Sequence, residues 1–73
     1  MPRSLRFRKN LYSLKSLQSA VKDFKDFGVS LEEPSARYYY VNVSFDGKES
    51  ELEQLVNEFK NYVLYKNIQY ENS

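Results

Sequence analysis

The sequence predicts an α+β fold: a single β-α-β-β-α domain with a three-stranded mixed sheet and both helices on one face. Three observations predict it. Residues 37–46, RYYYVNVSFD, alternate strictly: Tyr39, Val41, Val43 and Phe45 are apolar, while Tyr38, Tyr40, Asn42, Ser44 and Asp46 tolerate water. A period of two rich in β-branched and aromatic side chains marks a strand with one buried face. Two other stretches carry apolar stripes at helical spacing, Leu14, Leu17, Val21 and Phe24 in one and Leu52, Leu55, Val56, Phe59, Tyr62 and Val63 in the other. Finally, each predicted strand offers only one apolar row, so the two helices must share the face that covers it.

In chain order, residues 4–8 alternate, with Leu5 and Phe7 on one side and Arg6 and Arg8 on the other. Outward arginines are tolerated by an edge strand. Asn10, Leu11 and Tyr12 form a link, and Ser13 is placed to cap a helix, its hydroxyl accepting from a first-turn amide. That helix is expected over residues 13–27, with Ala20 and Phe27 flanking its stripe and Gly28 as a left-handed stop. Val29 and Leu31 make a second short strand, ended by Glu33-Pro34-Ser35-Ala36, because proline lacks the amide a ladder needs. The long third strand is expected between the other two and antiparallel to both, with a right-handed first crossover. Asp46-Gly47 breaks it, and Ser50 with Glu53 fits a capping box for the last helix. One domain is expected to span residues 1–73, with a frayed tail at about 71–73.

With 73 residues and no cysteine, stability must come from packing, and seven tyrosines with five phenylalanines supply the area for it. The formal charge of +1 gives the whole chain no strong polyelectrolyte character. Its distribution is uneven: Arg3, Arg6, Arg8 and Lys9 crowd the amino terminus, and Glu49, Glu51, Glu53 and Glu58 gather on the last helix. Charge runs of this kind most often form a solvated surface. No signal-peptide core and no long apolar run is visible, so a soluble, cytoplasmic protein without a membrane partner is expected.

Few routes to catalysis remain. There is no histidine or cysteine, which removes the usual nucleophile–base pairs and the commonest metal ligands. Adjacent Glu32 and Glu33 point to opposite sides of a strand, and Gly28 and Gly47 are isolated, so neither belongs to a phosphate loop. Asn42-Val43-Ser44 matches a glycosylation acceptor, a coincidence in mid-strand of an unexported protein. The expectation is no enzyme, no cofactor and no metal.

Two surfaces are candidates for binding. Arg6, Arg8, Tyr38 and Tyr40 share the outer sheet face if the strand order is right, similar to the way sheet aromatics stack bases in RNA-recognition domains. The glycines of that motif are absent and the chain is near neutral, so nucleic acid is disfavoured and kept as the alternative, with Arg3, Arg6, Arg8, Tyr38 and Tyr40 as its contacts. Bland cover of a half-exposed sheet by tyrosine is the plainer explanation. The second surface lies on the last helix. With Leu52 at zero, Leu64, Tyr65 and Ile68 fall at about 120° to 220°, nearly opposite the core stripe. A contiguous apolar patch there points to a protein partner or a second copy, unless the helix end folds back onto the domain.

Tyr12-Ser13-Leu14 at the first helix, Ala20 and Phe24 within it, the strand Tyr39–Val43 and the run Asn57-Glu58-Phe59-Lys60-Asn61-Tyr62-Val63-Leu64 carry a family resemblance. The chain resembles HxsD-like proteins, small accessory proteins of radical-SAM peptide-modification systems of the His-Xaa-Ser type. The resemblance spans nearly the whole chain; it also implies a longer, more charged extension after Leu64 than this sequence has. It implies a non-catalytic helper that binds a precursor peptide or the maturation enzyme. An open strand edge can accept an extended peptide through main-chain hydrogen bonds. The expected contact residues are Arg6, Arg8, Tyr38, Tyr40, Leu64, Tyr65 and Ile68.

Overall fold

The computed structural model of the chain describes the backbone of residues 2–71 and the side chains of residues 3–69. Strand β1 (Pro2–Arg8) is followed by α1 (Leu14–Phe24), a 3-10 turn (Lys25–Phe27), β2 (Val29–Leu31), β3 (Tyr38–Ser44) and α2 (Glu49–Glu71). The sheet order is β1-β3-β2, with the long strand central as expected. Both ladders are antiparallel. The sheet is therefore antiparallel and not mixed as expected: its outer strands run the same way, but β3 lies between them and they never pair.

The parity of β3 is the one its alternation demands. Val41 and Val43 are fully buried, and Tyr39 and Phe45 pack against the core at the strand's two ends. From β1, Leu5 and Phe7 join the same layer, as does Val29 from β2. Leu31, opposite Val41, lies at the rim and stays partly exposed. Against this row sit Leu17 and Ala20 of α1 and Leu52, Leu55, Val56, Phe59 and Val63 of α2, in one hydrophobic cluster. Both helices thus cover one sheet face. Phe59 is its hub, with edge-on contacts to Phe7 and Phe24 at centroid distances of 6.1 and 5.3 Å.

Helix α1 begins as its capping residue predicts. Ser13 is extended (φ −84°, ψ 149°), and its Oγ accepts from the Ser16 N–H at 3.1 Å. The buried row is rotated from the expected stripe: Ser16, Leu17 and Ala20 are buried, whereas Leu14 is exposed. Polar contacts hold this first turn: Ser13 caps it, and the Ser13 N–H donates to Asn67 Oδ1 at 2.9 Å. The helix tightens into the 3-10 turn after Phe24, leaving Phe27 exposed, and Gly28 ends it at φ 80°. Only glycine fits there, because a Cβ would also meet the Ser44 carbonyl, whose residue donates its own N–H to the Gly28 C=O at 2.8 Å.

The capping box expected at Ser50 and Glu53 does not form the start of α2. The Leu52 N–H already donates to the Lys48 C=O at 3.0 Å, so the helix opens before Ser50 and holds both residues inside its first turns. Glu53 is then free to reach the sheet, where it pairs with Arg3. The tail expected at about 71–73 lies largely outside the described residues, and the helix backbone continues through Glu71.

Candidate functional site

The hydrogen-bond phase of the sheet decides which main-chain groups are available. The Lys9 N–H donates to the Arg37 C=O at 2.9 Å, just past the β1–β3 register. Bonded pairs alternate in an antiparallel ladder, so Arg3, Leu5 and Phe7 also point their polar groups at β3. Those of Ser4, Arg6 and Arg8 point away, along the free edge of the sheet. The Arg8 C=O is taken by the link to α1, accepting from the Leu11 and Tyr12 N–H groups at 3.1 and 3.0 Å. Among the described residues, what remains open is the C=O of Pro2, the N–H and C=O of Ser4 and Arg6 and the N–H of Arg8. The opposite edge is poorer, since β2 is three residues long and Pro34 follows it.

Side chains beside this edge come together as the register requires. Arg6 lies opposite Tyr40 and Arg8 opposite Tyr38 on the outer face. The Arg6 guanidinium stands 5.1 Å from the centre of the Tyr38 ring, and the Tyr38 and Tyr40 rings are 6.3 Å apart. Both tyrosines are half-buried by these neighbours. Farther along the face, the Ser4 hydroxyl donates to Glu32 Oε1 at 3.4 Å, reaching across β3. Four of the expected contact residues, Arg6, Arg8, Tyr38 and Tyr40, therefore form one surface.

The other three do not join it. Leu64, Tyr65 and Ile68 lie on α2 away from the sheet, about half exposed at 48%, 55% and 50%. The helix does not bend to bury them. Tyr65 touches Tyr62 (6.4 Å) and accepts a hydrogen bond from Gln69 Nε2 at 2.9 Å, while Leu64 and Ile68 face outward.

Beside this patch is a buried polar clamp that sequence reasoning missed. Asn67, 5% exposed, accepts from the Ser13 N–H at 2.9 Å through Oδ1 and donates to the Leu11 C=O at 2.8 Å through Nδ2. It ties the β1–α1 link to the last turns of α2. Its position was readable: it follows Phe59 and Val63 at steps of four, the one polar residue continuing the core stripe. A second missed feature is a cleft at the end of the β1–β3 ladder, lined by Arg8, Lys9, Asn10, Ala36, Arg37 and Tyr38. Finding it needs the strand register, which brings Lys9 beside Arg37.

The helix–helix seam holds the remaining polar group of note. Tyr62 donates its hydroxyl to Asp23 Oδ2, and Lys66 Nζ lies 3.9 Å from the same carboxylate and 5.4 Å from the Tyr62 ring centre. The hydrogen bond to Asp23, aided by partial desolvation, holds the Tyr62 phenol above its ordinary range. A phenol used as a general base needs the opposite shift. Among the described residues no group of three or more acidic side chains converges on a metal position. No helix among them is long and apolar enough to cross a membrane. Comparison of the chain with protein-family models, with curated proteins and with solved structures finds no match.

Proposed function

We propose that this chain is a non-catalytic protein-interaction module that takes up an extended peptide along the free edge of β1. The carrying observation is the seven-residue edge strand whose outward main-chain groups at Ser4, Arg6 and Arg8 have no ladder partner. Tyr38 and Tyr40 stand beside that edge and supply contact area for alternate side chains of the guest. Following the resemblance to HxsD-like proteins, the guest is a precursor peptide, and the module is an accessory factor of peptide maturation in the cytoplasm. Leu64, Tyr65 and Ile68 then form a separate contact surface for a protein partner such as the maturation enzyme.

The test is a titration of isotope-labelled protein with a peptide of alternating threonine and valine, followed through backbone amide shifts. Edge pairing moves the amides of Ser4, Arg6 and Arg8 first and leaves β2 unmoved. Shifts confined to β2 or α2 would remove the proposal. A second reading, a small nucleic-acid-binding domain, has one observation in its favour: Arg6, Arg8, Tyr38 and Tyr40 do share one face. Single-stranded oligonucleotide binding that weakens steeply with added salt is its signature.

A further inference from the structure

The cleft at the end of the β1–β3 ladder has a volume of about 380 Å³. Its walls come from the two strand ends, Arg8-Lys9-Asn10 and Ala36-Arg37-Tyr38, stitched by the Lys9 N–H to Arg37 C=O bond. Three cationic residues, Arg8, Lys9 and Arg37, therefore line one small concavity, with the Lys9 ammonium 5.2 Å from the centre of the Tyr39 ring. The ion pairs among the described residues, Arg3–Glu53 and Lys66–Asp23, use none of the three. Arg6 extends the same positive field along the edge, over the Tyr38 ring. No carboxylate is among the residues lining the cleft, so the like charges around it repel one another and an incoming anion relieves that repulsion. Planar guanidinium groups suit a carboxylate, which they can grip with two parallel hydrogen bonds.

Arg8 belongs both to this cleft and to the free edge, where its N–H is the last open donor. A peptide paired along β1 ends at Arg8, because the Leu11 and Tyr12 amides occupy the Arg8 C=O on that edge, and its terminal residue then lies beside the cleft. We propose that this cleft is a carboxylate pocket and that the peptide taken up by β1 is acidic at its end next to Arg8; this rests on the edge pairing proposed above.

A polynucleotide fits the same surface less well. The Tyr38 face that a base would stack on already carries the Arg6 guanidinium and the Tyr40 ring. A phosphate backbone crossing the outer face would leave the cations and run toward Glu32 beside Ser4. A carboxylate asks only for the cationic end.

The experiment uses the full chain and three labelled probes in fluorescence anisotropy. They are a threonine–valine peptide ending in Asp-Glu, its Asn-Gln isostere with an amidated terminus, and an oligothymidylate. The acidic peptide is expected to bind about tenfold more tightly than the isostere, the difference between a charge-assisted and a neutral contact. The double variant Lys9→Gln, Arg37→Gln, the first half-buried and the second exposed, should erase that difference and leave isostere binding unchanged. Arg6→Pro removes an outward N–H without touching the β3 ladder and should weaken both peptides. Should Arg6→Pro lose its native circular dichroism, Ser4→Pro removes the neighbouring outward N–H and gives the same readout.

Equal binding of acidic and neutral peptides, both lost in the proline variant, overturns the carboxylate pocket and leaves edge pairing standing. Acidic binding that survives the proline variant but not the double variant supports the pocket and overturns edge pairing. Tighter binding of the oligothymidylate than of the acidic peptide, or no binding of either peptide, overturns the inference.

Discussion

Replacing Asn67 with alanine should cost this protein a large share of its stability, although the residue touches none of the large core side chains by hydrogen bonding. The amide makes two bonds to main chain, at 2.9 Å to the Ser13 N–H and 2.8 Å to the Leu11 C=O. Alanine removes both and leaves a donor and an acceptor in a partly buried seam. With about 1 kcal/mol for each bond and a further fraction for the stranded groups, the loss is about 2–3 kcal/mol. A domain of this length has a total of about 4–11 kcal/mol to draw on. The corresponding drop in melting temperature is about 10–20 °C. Urea and thermal unfolding followed by circular dichroism measure it, and hydrogen exchange should show the Ser13 amide losing protection ahead of the β3 amides. Asn67→Asp is the informative companion: it keeps an acceptor for Ser13 but sets an anion against the Leu11 carbonyl, so it should lose at least as much. A loss below about 0.5 kcal/mol in Asn67→Ala, the range of ordinary surface changes, would refute the clamp.

Gly28→Ala should destabilise by about 2–4 kcal/mol, combining left-handed backbone with a Cβ driven into the Ser44 carbonyl. Gly28→Asn should recover little of that in chemical denaturation, because asparagine eases the backbone term but not the clash. Ser13→Ala should cost about 1–2 kcal/mol by the same measurement, since it removes the α1 cap and the Ser16 Oγ partner at 2.6 Å. Tyr62, held above its usual pKa by Asp23, favours its neutral form in the folded state, so its contribution is complete below the ordinary tyrosine range. That contribution fades as pH rises through the higher folded value. Near-ultraviolet phenolate titration should therefore lose a late-ionising component in Tyr62→Phe. Leu64→Glu with Ile68→Glu should leave melting unchanged within about 0.5 kcal/mol, as expected of half-exposed positions. Sedimentation at several concentrations would show whether the patch joins two copies; a melting temperature that falls by several degrees would mean the patch is structural.

The fold was legible where alternation and helical stripes were long enough to allow only one parity. Tyr39, Val41, Val43 and Phe45 could turn inward only together, and once they did, Arg6, Arg8, Tyr38 and Tyr40 had to meet on the outer face. Helix ends were less legible. Ser13 sits before a clean apolar run and caps as expected, but Ser50 loses its cap because the backbone of Lys48 begins the hydrogen bonding earlier. Leu14 has the spacing of a core residue and is 40% exposed, because α1 docks through Leu17 and Ala20, with Val21 and Phe24 beside them, and spacing alone does not say where the docked face begins. Contacts across the molecule, Asn67 to Leu11 and Lys9 to Arg37, arise from register and docking, and single-element periodicity carries no information about either.

The charge on β1 also bears on how copies of this protein treat one another. The route by which one chain can extend the sheet of another is β1 against β1, because the far side of the sheet ends in a three-residue strand and a proline. Such a join is two-fold symmetric and uses up both open borders, so it halts at a pair and cannot propagate into fibrils. Even the pair would bring the arginines of both chains within cross-strand reach, where like charges oppose each other. The arginines thus work against self-pairing along this border.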